Sequence, residues 1–269
     1  MRRLLITGAA GGLGSMCRER LAPMAETLRL SDVASLGEAA PNEEIVRCDL
    51  GDADAVRDLV RDCDGIVHLG GISVERSWSL IRNANIDGLV NLYEGVRRTM
   101  GERPPRIVFA SSNHAIGFHP QSERLDASST TRPDGLYGVS KVFGEAVASL
   151  YHDKFGIETA RVRIGSCRPE PDDHRMLATW MSADDFVSLI ECVFRAPRLG
   201  CPVVYGASDN DVSWWDNREV GYLGWRPKDN AEVFRAALDA AMDPPPPDAP
   251  TALYQGGAFA AEPIHDDEQ

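Results

Sequence analysis

The stretch Leu4–Leu21, LLITGAAGGLGSMCRERL, constrains the fold more than any other part of the chain. Its first three residues form an apolar run that suits a buried parallel strand, and glycines spaced as Gly-x-x-Gly-x-x-Gly follow. Apolar residues then recur at helical spacing. A strand that turns through glycines into a helix points free backbone N–H groups at a phosphate, so the stretch predicts a phosphate-binding loop. The alternative is a glycine turn needed only for tight packing.

Strands and helices alternate from the amino terminus to Gly165, which predicts an α/β fold of the Rossmann type, a doubly wound parallel sheet with helices on both faces. Strands are predicted at residues 4–6, 27–30, 45–47, 65–69, 106–110 and 159–164. We expect one domain over 1–269, with a dinucleotide-binding core at 1–165 and a smaller, mainly substrate-binding part at 166–243. Because four prolines at 244–247 end the last helix, 244–269 is predicted to be a tail.

The charge balance limits the possible partners. With 28 Lys and Arg against 41 Asp and Glu, the formal net charge is −13, which argues against nucleic acid and anionic membranes. An anionic substrate would need a local cationic group. The six cysteines are scattered without a CxxC pair, which indicates reduced thiols in a cytoplasmic protein and no metal site. No segment approaches the length of a membrane span.

Asp32 follows the second predicted strand, which comes after the helix that Gly14 begins. A dinucleotide fold places the acid that binds the adenosine ribose at about this distance from its glycines, although a carboxylate that caps a strand end would also fit. A carboxylate there repels a 2′-phosphate, and no Arg follows closely. The sequence therefore predicts NAD, not NADP, as the cofactor.

Tyr137 and Lys141 stand four residues apart in a predicted helix, so the phenol and the ammonium lie on one helix face. A neighbouring lysine and a bound cationic nicotinamide can lower the pKa of a tyrosine toward neutrality and make it a base. Ser111 and Ser112 follow the fifth predicted strand, where a hydroxyl can orient a substrate oxygen. Taken alone, the Tyr–Lys pair could also be an exposed helix pair.

These motifs resemble the extended short-chain dehydrogenase/reductase superfamily, through TGAAGGLG, CDL, HLGG, NIDGLVNL, SSN and YGVSK. The resemblance runs from the amino terminus to the region of Gly165, and it implies a Ser–Tyr–Lys triad of Ser112, Tyr137 and Lys141. Ser112 is chosen over Ser111 because of its spacing from the tyrosine. The resemblance also implies an NAD site that includes Tyr137 and Lys141, together with Gly8, Gly11, Gly12, Leu13, Gly14, Asp32, Asp49, Leu50, Leu69, Gly70, Gly71, Asn85 and Ile164.

Further segments resemble the bacterial uronate dehydrogenase family within that superfamily, among them HLGGISVE, FASSNHAIGFHP, VRIGSCRPEP, HRMLATWMS and LGWRPKDNAE. This resemblance implies NAD-dependent oxidation of pyranose D-glucuronate or D-galacturonate at C1 to the aldarolactone. It implies that Arg175 binds the carboxylate, which supplies the local cation. Without it, Arg175 reads as a surface-loop residue, and His114 could equally be a structural histidine. The implied substrate contacts are Ser73, Ser112, Asn113, His114, Tyr137 and Arg175.

Two alternatives remain: a nucleotide-sugar epimerase or dehydratase on the same scaffold, and a catalytically silent NAD-sensing protein. The short, acidic carboxyl-terminal part disfavours a nucleotide diphosphate, and silent relatives typically lack the tyrosine or the lysine. The aromatic groups Trp214–Trp215, Tyr222 and Trp225 are expected to pack in the core, with a sugar-stacking platform as the alternative. The superfamily usually associates through surface helices, so we expect a homo-oligomer.

Overall fold

The structure is a computed structural model that describes residues 1–266. Seven parallel strands form one sheet at its centre. The strands are β1 (Arg3–Thr7), β2 (Thr27–Asp32), β3 (Glu43–Arg47), β4 (Gly65–His68), β5 (Arg106–Ser112), β6 (Thr159–Ile164) and β7 (Val203–Gly206). Their order across the sheet is β3-β2-β1-β4-β5-β6-β7. The order reverses between β1 and β4, which opens a crevice at the carboxyl ends of the strands. The predicted Rossmann-type fold is confirmed. The short seventh strand was not predicted from the sequence.

Within the described residues, nine α-helices flank this sheet. They are α1 (Gly12–Arg20), α2 (Ala53–Leu59), α3 (Trp78–Ile81), α4 (Gly88–Thr99), α5 (Leu136–Phe155), α6 (Met176–Thr179), α7 (Ala183–Arg195), α8 (Arg235–Ala241) and α9 (Pro250–Leu253). A π-helical turn at Arg82–Asp87 leads into α4, and a 3₁₀ turn at Ala231–Phe234 precedes α8. No helix of this described part is long and apolar enough to cross a membrane.

The alternation of side chains along the strands produces two hydrophobic layers. Leu4 and Ile6 of β1 face the layer built with α1 and α7, while Leu5 faces the layer built with α2, α4 and α5. All three side chains are fully buried. Because both faces of the sheet are covered, the strands read as continuous apolar runs, and the loops at the strand ends are left to carry the site.

The segment after the four prolines folds back onto the molecule instead of leaving as the tail predicted for 244–269. Gln255 is fully buried, and its amide Nε2 donates to the backbone oxygens of Pro120 and Glu123. The indole Nε1 of Trp215 donates to the Gln255 Oε1 at 2.9 Å. These three bonds satisfy the buried amide and fix the segment. Residues 267–269 of the predicted tail lie outside the described part of the chain.

The aromatic residues of the carboxyl-terminal part divide between core and surface. Trp214 and Trp215 pack beside β7 with Tyr205, and Trp225 joins the layer under α7, as expected of core residues. Tyr222 differs, because 55% of it is exposed. Its hydroxyl donates to the Leu199 backbone oxygen at 2.7 Å, so it covers the surface at the end of α7.

A buried ion pair joins α5 to the sheet. The Arg163 guanidinium donates twice to the Glu145 carboxylate, at 2.9 and 2.8 Å, and the two side chains are 3% and 6% exposed. Ser111 donates to the same carboxylate at 2.6 Å. A buried charge is tolerated only when it is paired and hydrogen-bonded, so each partner depends on the other.

We expect Arg163→Met to lower the free energy of unfolding by about 3–5 kcal/mol, because it leaves the Glu145 charge buried and unpaired. Urea unfolding monitored by tryptophan fluorescence measures the loss. The double variant Arg163→Met/Glu145→Leu removes both charges and is expected to recover most of the stability. Equal stability of the single variant and the unaltered protein would contradict the assigned role of the pair.

Candidate active site

A cavity of ≈ 740 Å³ opens along the carboxyl ends of β1, β2, β4, β5 and β6 and continues under the carboxyl-terminal segment. Nearly every residue that the sequence predicts for the cofactor or the substrate lines it. Those residues are Gly8, Gly11, Gly12, Leu13, Gly14, Asp32, Asp49, Leu50, Leu69, Gly70, Gly71, Ser73, Ser112, Asn113, His114, Tyr137, Lys141, Ile164 and Arg175.

The glycine loop is held by contacts that leave no room for side chains. A Cβ on Gly14 would lie 2.1 Å from the Gly8 backbone oxygen, and Gly8 itself has a φ of +69°. Gly12, in contrast, faces open space at the first turn of α1, and Gly11 before it makes no side-chain cap. Free N–H groups at a helix start, next to open space, suit the pyrophosphate of a dinucleotide.

Asp32 lies at the end of β2, beside this loop, and lines the cavity. One carboxylate oxygen accepts from the Ala10 N–H at 3.0 Å, and the other accepts from the Ala34 N–H at 3.0 Å. The carboxylate therefore caps the strand end and also faces the cavity. The two alternatives stated from the sequence are compatible, and the position suits the hydroxyls of an adenosine ribose.

Asn85 is buried behind the cavity and does not line it, although the sequence grouped it with the cofactor contacts. Its Nδ2 donates to the Ile72 backbone oxygen at 3.0 Å and to the Ser140 hydroxyl at 2.9 Å. Its Oδ1 accepts from the Ile72 N–H at 2.7 Å. Asn85 thus fixes the loop after β4 against α5, and Gly71 leaves it room, since a Cβ there would lie 2.7 Å from this Oδ1.

Ser112, Tyr137 and Lys141 are brought together by β5 and α5. Ser112 is the last residue of β5, and Tyr137 and Lys141 lie one turn apart at the start of α5. The Lys141 ammonium donates to the Ala110 backbone oxygen at 2.7 Å and lies 5.4 Å from the centre of the Tyr137 ring. The Ser112 hydroxyl acts on the phenol and lowers its pKa. The pair is buried, so it is not an exposed helix pair.

Burial shifts both titrating groups of this triad. Burial raises the pKa of Tyr137 to about 12. The Ser112 hydroxyl lowers this pKa, and the charge of Asp134 raises it further. Burial also lowers the pKa of Lys141 to about 8. Burial in the protein alone therefore holds the phenol protonated.

Arg175 lines the cavity on the side of the carboxyl-terminal segment. It is therefore not a surface-loop residue, which was the alternative considered from the sequence. Its Nε donates to the Gln255 backbone oxygen at 2.7 Å, and its Nη2 donates to the Asn113 amide oxygen at 2.8 Å. The Asn113 Nδ2 donates to the Ile164 backbone oxygen at 3.1 Å. Burial lowers the pKa of Arg175, but an arginine stays charged at any ordinary pH. The cavity thus holds a fixed cation.

Among the lining residues that sequence reasoning missed are Ser166 and Phe259. Ser166 lies just after β6, and its hydroxyl hydrogen-bonds with that of Thr179. Ser112 was selected because it stands at the end of a strand, and the same criterion could have selected Ser166. Phe259 stacks on the His114 ring with centroids 3.8 Å apart. No local signal marks Phe259, because a contact between residues so far apart in the sequence depends on the whole fold.

The fold and the site agree with comparisons to known proteins. Residues 4–183 match the model of the NAD dependent epimerase/dehydratase family. The chain is 62% identical over 264 residues to the uronate dehydrogenase of Agrobacterium fabrum, covering 98% of each chain. It is 52% identical to that of Pseudomonas putida, covering 96% of this chain and 95% of the relative.

A solved structure gives the same result. The uronate dehydrogenase from Agrobacterium tumefaciens, as a tyrosine-to-alanine mutant complexed with NAD, superposes with a TM-score of 0.96 at 62% identity. The match covers 99% of this chain and 100% of that one. The chain belongs to the NAD-dependent epimerase/dehydratase family and, within it, to the uronate dehydrogenases.

The shifted lysine has a measurable effect on stability. The pKa of Lys141 is about 8 in the folded protein and about 10.5 in the unfolded chain, so between these pH values the unfolded chain binds more protons. The contribution of Lys141 to the free energy of unfolding therefore rises as the pH increases from about 8 to about 10.5. We expect the free energy of unfolding, relative to Lys141→Met, to rise by about 3 kcal/mol over this range. Urea unfolding of both proteins at several pH values measures it, and parallel profiles would contradict the shift.

Proposed function

We propose that this protein oxidises pyranose D-glucuronate or D-galacturonate at C1 to the aldarolactone, with NAD as hydride acceptor. One observation carries the proposal: the Arg175 cation and the Ser112–Tyr137–Lys141 triad line the same cavity as the glycine loop. In a protein of net charge −13, a fixed cation at that place suits a carboxylate substrate. The similarity to uronate dehydrogenases over nearly the full chain supports the same reaction.

In the proposed reaction Tyr137 takes the proton of the C1 hydroxyl, and Ser112 hydrogen-bonds the same oxygen. NAD, when bound, accepts the hydride from C1, so the substrate loses two electrons and the solution gains a proton. Because C1 of a pyranose already carries the ring oxygen, its oxidation leaves an ester within the ring. The product is therefore a lactone, and no second base is needed to form it.

The raised pKa of Tyr137 places a requirement on this mechanism. A base must lose its proton near the working pH, yet burial holds the pKa of the phenol at about 12. The cationic ring of the oxidised cofactor favours the phenolate by its charge, in addition to the ammonium of Lys141. We infer that Tyr137 becomes a base only with the cofactor in place, which links proton removal to the presence of the hydride acceptor.

We propose that residues 1–165 hold NAD. The pyrophosphate lies at Gly8, Gly11 and Gly14, and the adenosine ribose lies at Asp32. Support comes from the open space at Gly12 and from the carboxylate that faces the cavity at the end of β2. Other cofactor contacts are Leu13 in α1, Asp49 and Leu50 at the adenine, Leu69 to Gly71 beside the ribose, Lys141 at the nicotinamide ribose, and Ile164.

We propose that the substrate lies between the triad and residues 166–243, joined there by the carboxyl-terminal segment. Arg175 binds the uronate carboxylate, and Ser73 and Ser166, which line the cavity, offer hydroxyls. Since the Asn113 amide is engaged with Ile164 and Arg175, its main effect is to hold the guanidinium in place. A nucleotide-sugar ligand is disfavoured, because the solved nucleotide-sugar enzymes among the matches are at most 20% identical and show the fold alone.

We also propose a reducing, cytoplasmic location and self-association. All six cysteines, which lie within the described residues, are free thiols, and burial raises the pKa of Cys17 and Cys167 to about 12, so these two thiols stay protonated. Large apolar side chains are exposed on helices α3 and α5, among them Leu80 and Leu150. Such side chains are available to pack against a second copy.

The first test follows NADH absorbance with NAD and a panel of uronates, parent neutral sugars and UDP-sugars. We expect NADH with glucuronate and galacturonate and little with glucose or galactose. Arg175→Ala should lower kcat/KM for the uronates by about 100-fold, because it removes the ionic partner of the carboxylate. It should not lower the activity with neutral sugars, which makes these sugars the internal control.

Two results of this panel would contradict the proposal. Silence with both uronates would leave a nucleotide-binding scaffold of another specificity. A signal only with UDP-sugars, with NAD retained and no net NADH released, would favour the epimerase alternative.

A second test concerns the base. We expect Tyr137→Phe to lower kcat by about 10²–10⁴-fold while NAD still binds, since only the proton acceptor is removed. Stopped-flow kinetics and cofactor titration by tryptophan fluorescence measure the two quantities separately. Near-normal turnover by this variant would show that another group takes the proton.

A further inference from the structure

Asp134 is a buried carboxylate that the reaction described above does not use. Its side chain has 0% exposure, and one oxygen, Oδ1, is buried without a hydrogen-bond partner among the described residues. The other oxygen lies 2.9 Å from the Nδ1 of His114. Burying a charge for one hydrogen bond costs stability, so a group kept in such a place points to a role beyond packing.

Two other parts of the chain are shaped around this carboxylate. A Cβ on Gly117, after the turn that carries His114, would lie 1.9 Å from Oδ2. A Cβ on Gly256, in the carboxyl-terminal segment, would lie 1.7 Å from the same oxygen. Asp134 itself comes just before α5 and therefore just before Tyr137. Two glycines thus leave the space in which the carboxylate reaches the imidazole.

The His114 ring is fixed on several sides. Phe259 stacks on one face, and the Tyr137 ring lies 5.7 Å away, centre to centre. The carboxylate of Asp134 accepts hydrogen bonds, so it holds the proton of a neutral imidazole on Nδ1. The other nitrogen, Nε2, then lacks a proton and is an acceptor for groups in the cavity that His114 lines.

We propose that Asp134 is a positioning residue that acts through His114. By accepting the Nδ1–H, it makes Nε2 a hydrogen-bond acceptor for a hydroxyl of the sugar ring, and it leaves the carboxylate of the substrate to Arg175. The inference rests on the proposed uronate oxidation. It assigns the two polar ends of the substrate to different groups: an acceptor nitrogen binds a hydroxyl, and a cation binds the carboxylate.

The tautomer is measured first, because it needs no activity. Long-range ¹H–¹⁵N correlation of the imidazole rings at pH 8, in protein labelled with ¹⁵N-histidine, distinguishes the two nitrogens, and His114→Gln assigns the signals. We expect a proton on Nδ1 and none on Nε2 of His114. A proton on Nε2, alone or together with one on Nδ1, would overturn the assignment of an acceptor to the substrate.

Kinetics test the positioning role. Asp134→Leu should lower kcat/KM for the uronate by about tenfold or more, mainly through KM, because the ring loses its orienting partner. Asp134→Asn should retain more activity, since the amide oxygen can still accept the Nδ1–H. In a His114→Ala background, Asp134→Leu should change KM for the uronate less than about twofold, because its effect on substrate binding passes through His114. The charge of Asp134 also acts on the pKa of Tyr137, so an effect of this variant on kcat is expected in both backgrounds.

Controls separate this role from a purely structural one. Asp185→Asn removes a buried carboxylate at the start of α7, outside the cavity, and should leave kcat/KM unchanged. NAD affinity, from tryptophan fluorescence, should be the same in all Asp134 variants. Equal increases in KM with and without His114, or a parallel loss of NAD affinity, would overturn the proposal. An unaltered enzyme that fails to oxidise uronates would refute the proposed function instead, and the tautomer would still be decided by NMR.

Discussion

The geometry of the site depends on how the first turn of α5 is held. Both carboxylate oxygens of Glu75 accept backbone N–H groups at 2.9 Å, one from Leu136 and one from Tyr137. Glu75 is itself buried and comes from the loop after β4, so a carboxylate from a distant loop takes the place of the cap that Gly135 lacks. A negative charge at the positive end of a helix is stabilising. The same bonds fix the backbone of the tyrosine against the loop that lines the cavity.

This arrangement explains why several glycines border the site. A Cβ on Gly135 would lie 2.4 Å from the Glu75 carboxylate, and a Cβ on Gly138 would lie 2.3 Å from the His114 backbone oxygen. The start of α5 can approach β5 closely only because these side chains are missing. The close approach lets Lys141 reach the Ala110 oxygen at the carboxyl end of the strand.

The features that were predictable from the sequence are those whose signal is local. The glycine loop, Asp32 and the Tyr–Lys pair each depend on spacings within one strand, one turn or one helix. The carboxyl-terminal segment has no such signal: the four prolines end α8, but contacts with distant parts of the chain bring the segment back. Among them are the bonds of the buried Gln255 amide and the stacking of Phe259 on His114. Asp134 and Glu75 are missed for the same reason, since burial and not periodicity gives a carboxylate its role.

The charges within the cavity bear directly on specificity. Arg175 makes its protein contacts with neutral partners, the oxygens of Gln255, Asn113, Ser166 and Thr179. The charges of Asp173 and Asp134 act to raise the pKa of Arg175 against the lowering by burial, but no carboxylate of the described residues is hydrogen-bonded to its guanidinium. A neutral sugar would therefore fill the cavity without giving the guanidinium a bound anion. A site built around a polar group strongly rejects a ligand that lacks the matching polar partner. An apolar pocket rejects a ligand that is only smaller much more weakly. Arg175, to which no carboxylate of residues 1–266 is hydrogen-bonded, thus selects against the neutral sugars even though the triad could act on their C1 hydroxyl.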